Sequence, residues 1–463
     1  MFSLRTYGRW ALPLAVGLLS LSALPATATA EASPPASVRD DFDGDGYQDL
    51  AVGAPGGTVG GLQDAGYVVV MYGGPHGLSA DRRTVISRAT AGVPGSPAKG
   101  ERFGIQLTKG DLDGDGRADL VVGHVSATRS AVVVWGAKGG LTGGTALPAS
   151  STQAGDFDGD GTLDLALFKG GRAQGDDPLG TTATVWTGPL TRAGKPAGTR
   201  RLDPSGLEYV DVWDGATGDV NADGRDELAL KVYCGDGSYC TRLYTGSPTG
   251  LVVAGGGTFP GGGGGMAFGD FDGDGYGDLA VGNAPDSSVT VASGSASGLA
   301  PSGSWHRYTQ DSPGVPGAYE DVDFFGATVS AGDINGDGRD DLAVGAPGEE
   351  IGYDDGAGIV DVLYGTEAGL TGTGSQAFTQ NTAGVPGAAE PGDGFGGAVR
   401  LLDTNGNGHA DLAASAVGEN SRAGAVWSLR GRATGVVTDA GFVFGARTVG
   451  GPYAKAAFGF ELN

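Results

Sequence analysis

Along most of this chain apolar residues fall in short runs, each bounded by clusters of Gly, Asp, Asn and Pro. Few stretches carry the three-to-four-residue spacing of an amphipathic helix, so the pattern predicts strands joined by tight turns. Two kinds of run recur. One directly follows an aspartate-rich segment, as in Leu50-Ala51-Val52, Leu120-Val121-Val122 and Leu342-Ala343-Val344. The other lies downstream and ends in glycine, as in Tyr67-Val68-Val69-Val70-Met71-Tyr72-Gly73 and Ala131-Val132-Val133-Val134-Trp135-Gly136, with later copies ending at Gly188, Gly246, Gly294, Gly365 and Gly431. A Gly-Leu step, such as Gly77-Leu78 or Gly369-Leu370, follows most copies, which is hairpin turn chemistry.

The aspartate-rich segment is a nine-residue pattern, Asp-x-Asp/Asn-x-Asp-Gly-x-x-Asp, that starts seven times with minor departures: at Asp41, Asp111, Asp156, Asp219, Asp270, Asp333 and Asp403. Three units are longer and carry related inserts, Gly92-Val93-Pro94-Gly95, Gly314-Val315-Pro316-Gly317 and Gly384-Val385-Pro386-Gly387, each leading to a Phe-Gly pair at Phe103, Phe325 or Phe395. A unit of about four strands cannot bury both of its own faces, whereas several such sheets packed radially can. The expected fold is therefore all-β, a seven-bladed β-propeller of four-stranded antiparallel blades over residues 40–463. The chain stops at Phe458-Gly459 and four more residues with no aspartate loop after them, while the first loop lacks a Phe-Gly strand before it. Pairing of the C-terminal strand with the N-terminal unit would close the ring and leave no open edge.

Phe-Gly, then Gly-Asp-x-Asp/Asn-Gly-Asp-Gly, then Val-Gly-Ala-Pro at Val52–Pro55 and Val344–Pro347 resembles the FG-GAP repeat of the integrin alpha-chain propeller. The resemblance covers nearly the whole chain after the leader, and the family's blade number is also seven. It implies an extracellular binding propeller that carries calcium in the loops of one face. Carboxylates at positions 1, 3 and 5 of a sharply turning loop converge on one point, and glycine at position 6 permits the turn. By analogy with the family, the main-chain carbonyl of position 7 and the carboxylate of position 9 complete the set. An EF-hand would instead need a Glu at position 12, where this chain has Val52, Val122, Leu167, Leu230, Val281, Val344 and Ala414.

The expected ligands differ from loop to loop. Four loops carry four aspartates each: Asp41, Asp43, Asp45 and Asp49; Asp111, Asp113, Asp115 and Asp119; Asp156, Asp158, Asp160 and Asp164; Asp270, Asp272, Asp274 and Asp278. These are expected to bind best. Loop six has Asp333, Asn335, Asp337 and Asp341, and loop four has Asp219, Asn221, Asp223 and Glu227, with Ala222 where the others have glycine. Loop seven, with Asp403, Asn405, Asn407 and Asp411, has the lowest ligand charge and should be weakest.

Glycine, at 92 of 463 residues, is about three times its ordinary share, yet there is no Gly-X-Y period and 39% of residues are hydrophobic, so neither collagen nor plain disorder fits. Residues 1–30 read as a signal peptide: Arg5 and Arg9 precede an apolar run from Ala11 to Leu24, and Ala28-Thr29-Ala30 offers a cleavage site. That run is shorter than a membrane span requires. Residues 31–39 read as a short linker, and the mature chain is expected to be secreted. Loss of Arg5 and Arg9 takes the formal charge from −25 to −27, which argues against nucleic acid as a partner. Seven divalent ions would add fourteen positive charges and bring it to −13. For an exported chain the two cysteines, Cys234 and Cys240, read as a local disulfide across a hairpin.

Catalytic signatures are sparse. The mature chain has no Gly-x-Ser-x-Gly, and its four histidines, His76, His124, His306 and His409, are scattered over different units. His409 stands at position 7 of the last loop, where only its carbonyl is expected to matter. Glycosylphosphatidylinositol-specific phospholipase D carries similar repeats behind a separate catalytic domain that nothing here resembles. The primary expectation is a secreted, calcium-binding adhesion or ligand-binding module for an extracellular protein or polysaccharide; the alternative is an exported hydrolase of phospholipase D-like or glycosidase-like type. Candidate ligand contacts lie among Trp305, Tyr308, Tyr319, Glu320 and Tyr353 in the long inserts, each of which also reads as packing or solvated loop.

Overall fold

The computed structural model describes residues 40–126, 129–170, 172–174, 177–179, 182–202, 212–235, 238–254 and 262–463, together with Met1. Apart from Met1, the expected leader and linker lie outside the described residues.

Seven antiparallel sheets of four strands form a ring, so the chain is a seven-bladed β-propeller. Blade two shows the plan: strands Leu107–Gly110, Asp119–Val122, Ala131–Trp135 and Thr142–Leu147 pair in chain order. The same order holds for the four strands beginning at Val212, Met266, Thr328 and Phe395 in blades four to seven. Blade three, from Ser151–Gly155 to Gly198–Arg201, adds a two-stranded hairpin of Arg172–Gln174 and Asp177–Leu179. The first strands of neighbouring blades from two to seven contact one another, which places them around the axis.

Blade one has Leu50–Ala54, Tyr67–Met71 and Arg83–Ile86 in sequence, and its inner strand comes from the far end of the chain. Ala51 N–H donates to Asn463 O at 2.7 Å, Asn463 N–H returns to Ala51 O at 3.0 Å, and Gly53 N–H donates to Glu461 O at 2.8 Å. The ring is thus closed by the two chain ends, as expected from the unmatched Phe-Gly. Phe458 is fully buried and meets Phe444 edge-on, with centroids 6.0 Å apart.

The third strands of blades one and two are apolar and buried at every position because both faces of those blades are covered. In Tyr67–Met71 all five residues are buried: Val68 and Val70 pack with Phe103 and Leu120 of blade two, while Val69 and Met71 pack with Val426 and Phe458 on the other side. Simple alternation of polar and apolar residues would expose one face to water, and these two blades have no such face to spare.

Strand parity assigns the connections to two faces. The aspartate loops join first to second strands, and on that same face third strands turn into fourth. The turns from second to third strand, and the inserts leading from one blade into the next, lie on the opposite face. Cys234 and Cys240, at the ends of neighbouring strands of blade four, form a disulfide.

Candidate metal centres

Each loop is built around its first carboxylate. Asp41 Oδ1 accepts from the N–H groups of Gly44 and Asp45, at 2.6 and 3.2 Å, and Oδ2 accepts from Gly46 at 2.7 Å. Asp111, Asp156, Asp219, Asp270, Asp333 and Asp403 bond the position-6 N–H in the same way, at 2.8 or 2.9 Å. Position 6 has φ near +80 to +90° in every loop, where glycine alone is unstrained. Position 4 is also left-handed, and Ala222 holds φ +54° there where the other loops have glycine.

These turns bring positions 1, 3 and 5 together. In four loops, Asp41-Asp43-Asp45, Asp111-Asp113-Asp115, Asp156-Asp158-Asp160 and Asp270-Asp272-Asp274, one oxygen from each residue lies within 4.8 Å of the others. Oxygens on a coordination sphere of radius about 2.4 Å can be at most about 4.8 Å apart, so these triads fit the span of one calcium ion. The carboxyl groups of Asp43, Asp158 and Asp272 are pushed above the ordinary carboxylate range, first by burial and also by the neighbouring loop aspartates. In loops four and six the position-3 residue is Asn221 or Asn335, whose side-chain oxygen accepts from the position-5 N–H.

Position 9 is placed differently. Asp49 accepts from Phe42 N–H and from Gly73 N–H, both at 2.8 Å. Asp119, Glu227, Asp278 and Asp341 make the same pair of bonds, each to the position-2 N–H of its loop and to the glycine that ends the third strand: Gly136, Gly246, Gly294 or Gly365. Asp164 accepts from Gly188, and its other oxygen has no partner among the described residues. This gives the recurrent terminal glycine a reason: a Cβ on Gly73 would collide with the carbonyl oxygen of Gln48. Burial pushes Asp49 up to about 8, and Asp119, Asp164, Glu227, Asp278 and Asp341 up to about 7.

Loop seven is arranged to satisfy itself. Asn405 turns its amide nitrogen onto both oxygens of Asp411, at 3.0 and 2.8 Å, and Thr404 Oγ1 bonds the same carboxylate.

Main-chain bonds also run from loop to loop. Ala118 N–H donates to Asp41 O, Asp226 to Asp156, Gly277 to Asp219, Asp340 to Asp270 and Ala410 to Asp333, at 2.8 to 3.0 Å. Each joins position 8 of one loop to position 1 of a loop in the preceding blade. Loop two meets blade three through Leu190 N–H to Leu112 O at 2.7 Å, and loop seven meets blade one through Gly74 N–H to Thr404 O at 2.9 Å.

Comparison with known proteins adds the family. The FG-GAP repeat family matches residues 36–71 and 325–363, and the FG-GAP-like repeat family matches residues 102–167. The chain carries FG-GAP repeats. The matched FG-GAP spans contain loops one, two, three and six; loops four, five and seven lie outside them and share the same bond from position 1 to position 6. A stretch of 84 residues is 38% identical to integrin alpha-5 of Xenopus laevis, spanning 18% of this chain and 7% of that protein. Among solved structures, BBS1N in complex with ARL6DN is similar over 70% of this chain and 78% of its own, at 12% identity and a TM-score of 0.39. The Photorhabdus luminescens Tc holotoxin pore is similar over 79% of this chain and 17% of its own, at 18% identity and a TM-score of 0.36.

Several residues at the FG-GAP loops carry no signal in the repeat pattern. Arg82 reaches Asp43 and Asp45 of loop one, and Arg192 reaches Asp113 and Asp115 of loop two. Both lie beyond the third strand, next to the loop only in space. The His409 ring, expected to be idle, has Nδ1 3.0 Å from the carbonyl oxygen of Ile334 in the adjacent loop. His124 is buried and held near 4, by burial and then by Arg88 and Arg129. Of the aromatic candidates for ligand contact, Trp305 Nε1 bonds Ala300 O at 2.7 Å and Tyr308 bonds Leu370 O at 2.8 Å, so both are engaged in packing, while Tyr353 is 98% exposed. Tyr319 bonds Asp321 at the surface, and Glu320 O accepts from Asp323 N–H. No helix among the described residues is long and apolar enough to cross a membrane.

Proposed function

We propose that this chain is exported by its N-terminal 30 residues and works outside the cell as a calcium-loaded FG-GAP propeller that binds a protein or polysaccharide ligand. The observation that carries the reading is the set of four carboxylate triads, each within the 4.8 Å span of one coordination sphere. Ions at these loops would be held by positions 1, 3 and 5, with the buried position-9 carboxylate bracing the loop against the third strand. Calcium there supplies the charge that the carboxylates need in order to stay ionised at close range. The likeness to an integrin alpha chain supports a recognition role rather than a catalytic one.

Titration of chelator-stripped protein with calcium, followed by calorimetry and thermal unfolding, tests the metal. At calcium one hundred times the dissociation constant, each occupied site adds up to about 2.7 kcal/mol. An unchanged melting temperature with no heat of binding refutes the calcium part. Arrays of glycans and matrix proteins, probed with and without chelator, test recognition. Turnover of an ester or glycoside, lost on mutating a residue outside the loops, would replace it with the hydrolase reading.

A further inference from the structure

Blades two, six and seven are each preceded by a long insert, and the three inserts align on Val-Pro-Gly and Phe-Gly. Arg88, Gln310 and Gln380 stand six residues before the proline, and Glu101, Asp323 and Asp393 stand two before the phenylalanine. On the third strand of each blade, four residues before its terminal glycine, are Val132, Asp361 and Trp427. The three copies therefore offer three solutions to one packing problem.

In blade two the solution is an arginine. Arg88 Nε donates to Glu101 Oε1 at 2.9 Å, Arg129 takes the other oxygen at 3.0 Å, and both Arg88 and Glu101 are buried. In blade seven it is an aromatic side chain: Trp427 packs edge-on against Phe395 and its indole N–H donates to Pro386 O at 2.7 Å. Asp393 there accepts from Glu390 N–H at 3.1 Å.

Blade six has neither. The cationic position is occupied by the neutral Gln310, whose amide nitrogen donates to Glu349 Oε2 at 2.7 Å. The aromatic position is occupied by Asp361, which has no exposed surface and, among the described residues, no partner for either carboxylate oxygen. Asp361 shares its side of the strand with Ile359 and Leu363, which pack with Val315 and Phe325 of the insert. Asp323 Oδ2 and Gln310 Oε1 are also buried without partners among the described residues. Four orphaned oxygens and three carboxyl groups thus share one interior region; burial raises Asp361 and Asp323, and the charges that add to it are acidic ones, Glu349 acting on both and Glu320 on Asp323. An uncompensated buried carboxylate is among the costliest features a fold can carry.

We propose that blade six holds a second kind of cation site, in which Asp361, Glu349, Asp323 and the Gln310 amide oxygen gather one hard divalent ion of the calcium class on the face opposite the aspartate loops. The ion does for blade six what the Arg88 guanidinium does for blade two. An all-oxygen set with three carboxylates suits calcium, which tolerates irregular geometry, better than metals that seek nitrogen or sulfur. These donors are spread more widely than the loop triads, so side-chain rotation must accompany binding.

The test counts calcium ions per chain by equilibrium dialysis of the full-length protein at saturating calcium. Asp361→Asn removes charge at constant size, and Gln310→Arg installs the blade-two solution. Each variant is expected to bind one ion fewer than the parent, and Gln310→Arg is also expected to melt higher than the parent in chelator. A loop variant, Asp270→Asn, combined with Asp361→Asn should show the two losses adding. If the loops bind nothing, the parent still binds one ion and Asp361→Asn none, so the two readings fail separately. An unchanged count in both blade-six variants overturns the proposal and leaves Asp361 as a buried neutral acid.

Discussion

Closure of the ring can be weighed by cutting it in one place. Phe458 is fully buried against Phe444, Leu50 and Val52, and Phe→Ala at such a site costs about 3 to 5 kcal/mol. Beyond it, three main-chain bonds tie residues 461–463 to Ala51 and Gly53, worth about 1 kcal/mol each, and burial of Leu462 adds about 2 kcal/mol. The closing segment as a whole therefore contributes on the order of 8 to 10 kcal/mol, comparable with the entire stability of an ordinary domain. Phe458→Ala should leave the ring closed but let this segment open locally far more often. Exchange of the Ala51 and Gly53 amides, followed by mass spectrometry in calcium, should speed up by about two to three and a half orders of magnitude. Phe325→Ala removes an equally buried Phe-Gly side chain from the unbroken part of the ring, so it should lower the melting temperature without that local acceleration. Equal exchange of residues 50–54 in both variants would refute the role of the C-terminal segment as the closing strand.

Three further outcomes are expected. Because burial raises Asp49 to about 8 and five other position-9 acids to about 7, the chelated fold binds protons more tightly than the unfolded chain; its stability should therefore be greatest at or below about pH 4 and fall as pH rises from there to about 8, with calcium reducing the fall in thermal scans. Ala222→Gly relieves a left-handed alanine and should stabilise the protein by about 0.5 to 1 kcal/mol in urea unfolding; a loss of stability would contradict the loop geometry. Arg82→Ala removes a cation that competes for Asp43 and Asp45, and should tighten calcium at loop one about two- to fivefold by calorimetry, whereas weaker binding would make the arginine a partner of the ion.

The blades and loops were legible because each is written within a single unit: the aspartate spacing, the left-handed glycine at position 6 and the glycine closing the third strand all act within about thirty residues. Ring closure was legible from a mismatch, an unpaired Phe-Gly at one end and an unpaired loop at the other. What escaped lies between units. Arg192 reaches the aspartates of loop two from blade three, about eighty residues away in the chain, and the bond from Ala410 to Asp333 spans two blades. No periodicity records these contacts, because they depend on how far one blade is rotated against the next. Position 9 was read from the sequence as a ligand alone, since the N–H of Gly73 that holds Asp49 comes from a different strand.

The parity of the strands separates two tasks. Every joint in the hoop of aspartate loops belongs to connections on one side of the disc, while the segments around Pro94, Pro316, Pro386 and the bare Tyr353 ring emerge on the other. Such segments can lengthen, shorten or change character without touching a single rivet of the hoop. Grafting a foreign peptide between Ile351 and Gly356 should thus leave the hoop of aspartate loops intact while giving the opposite face a new specificity.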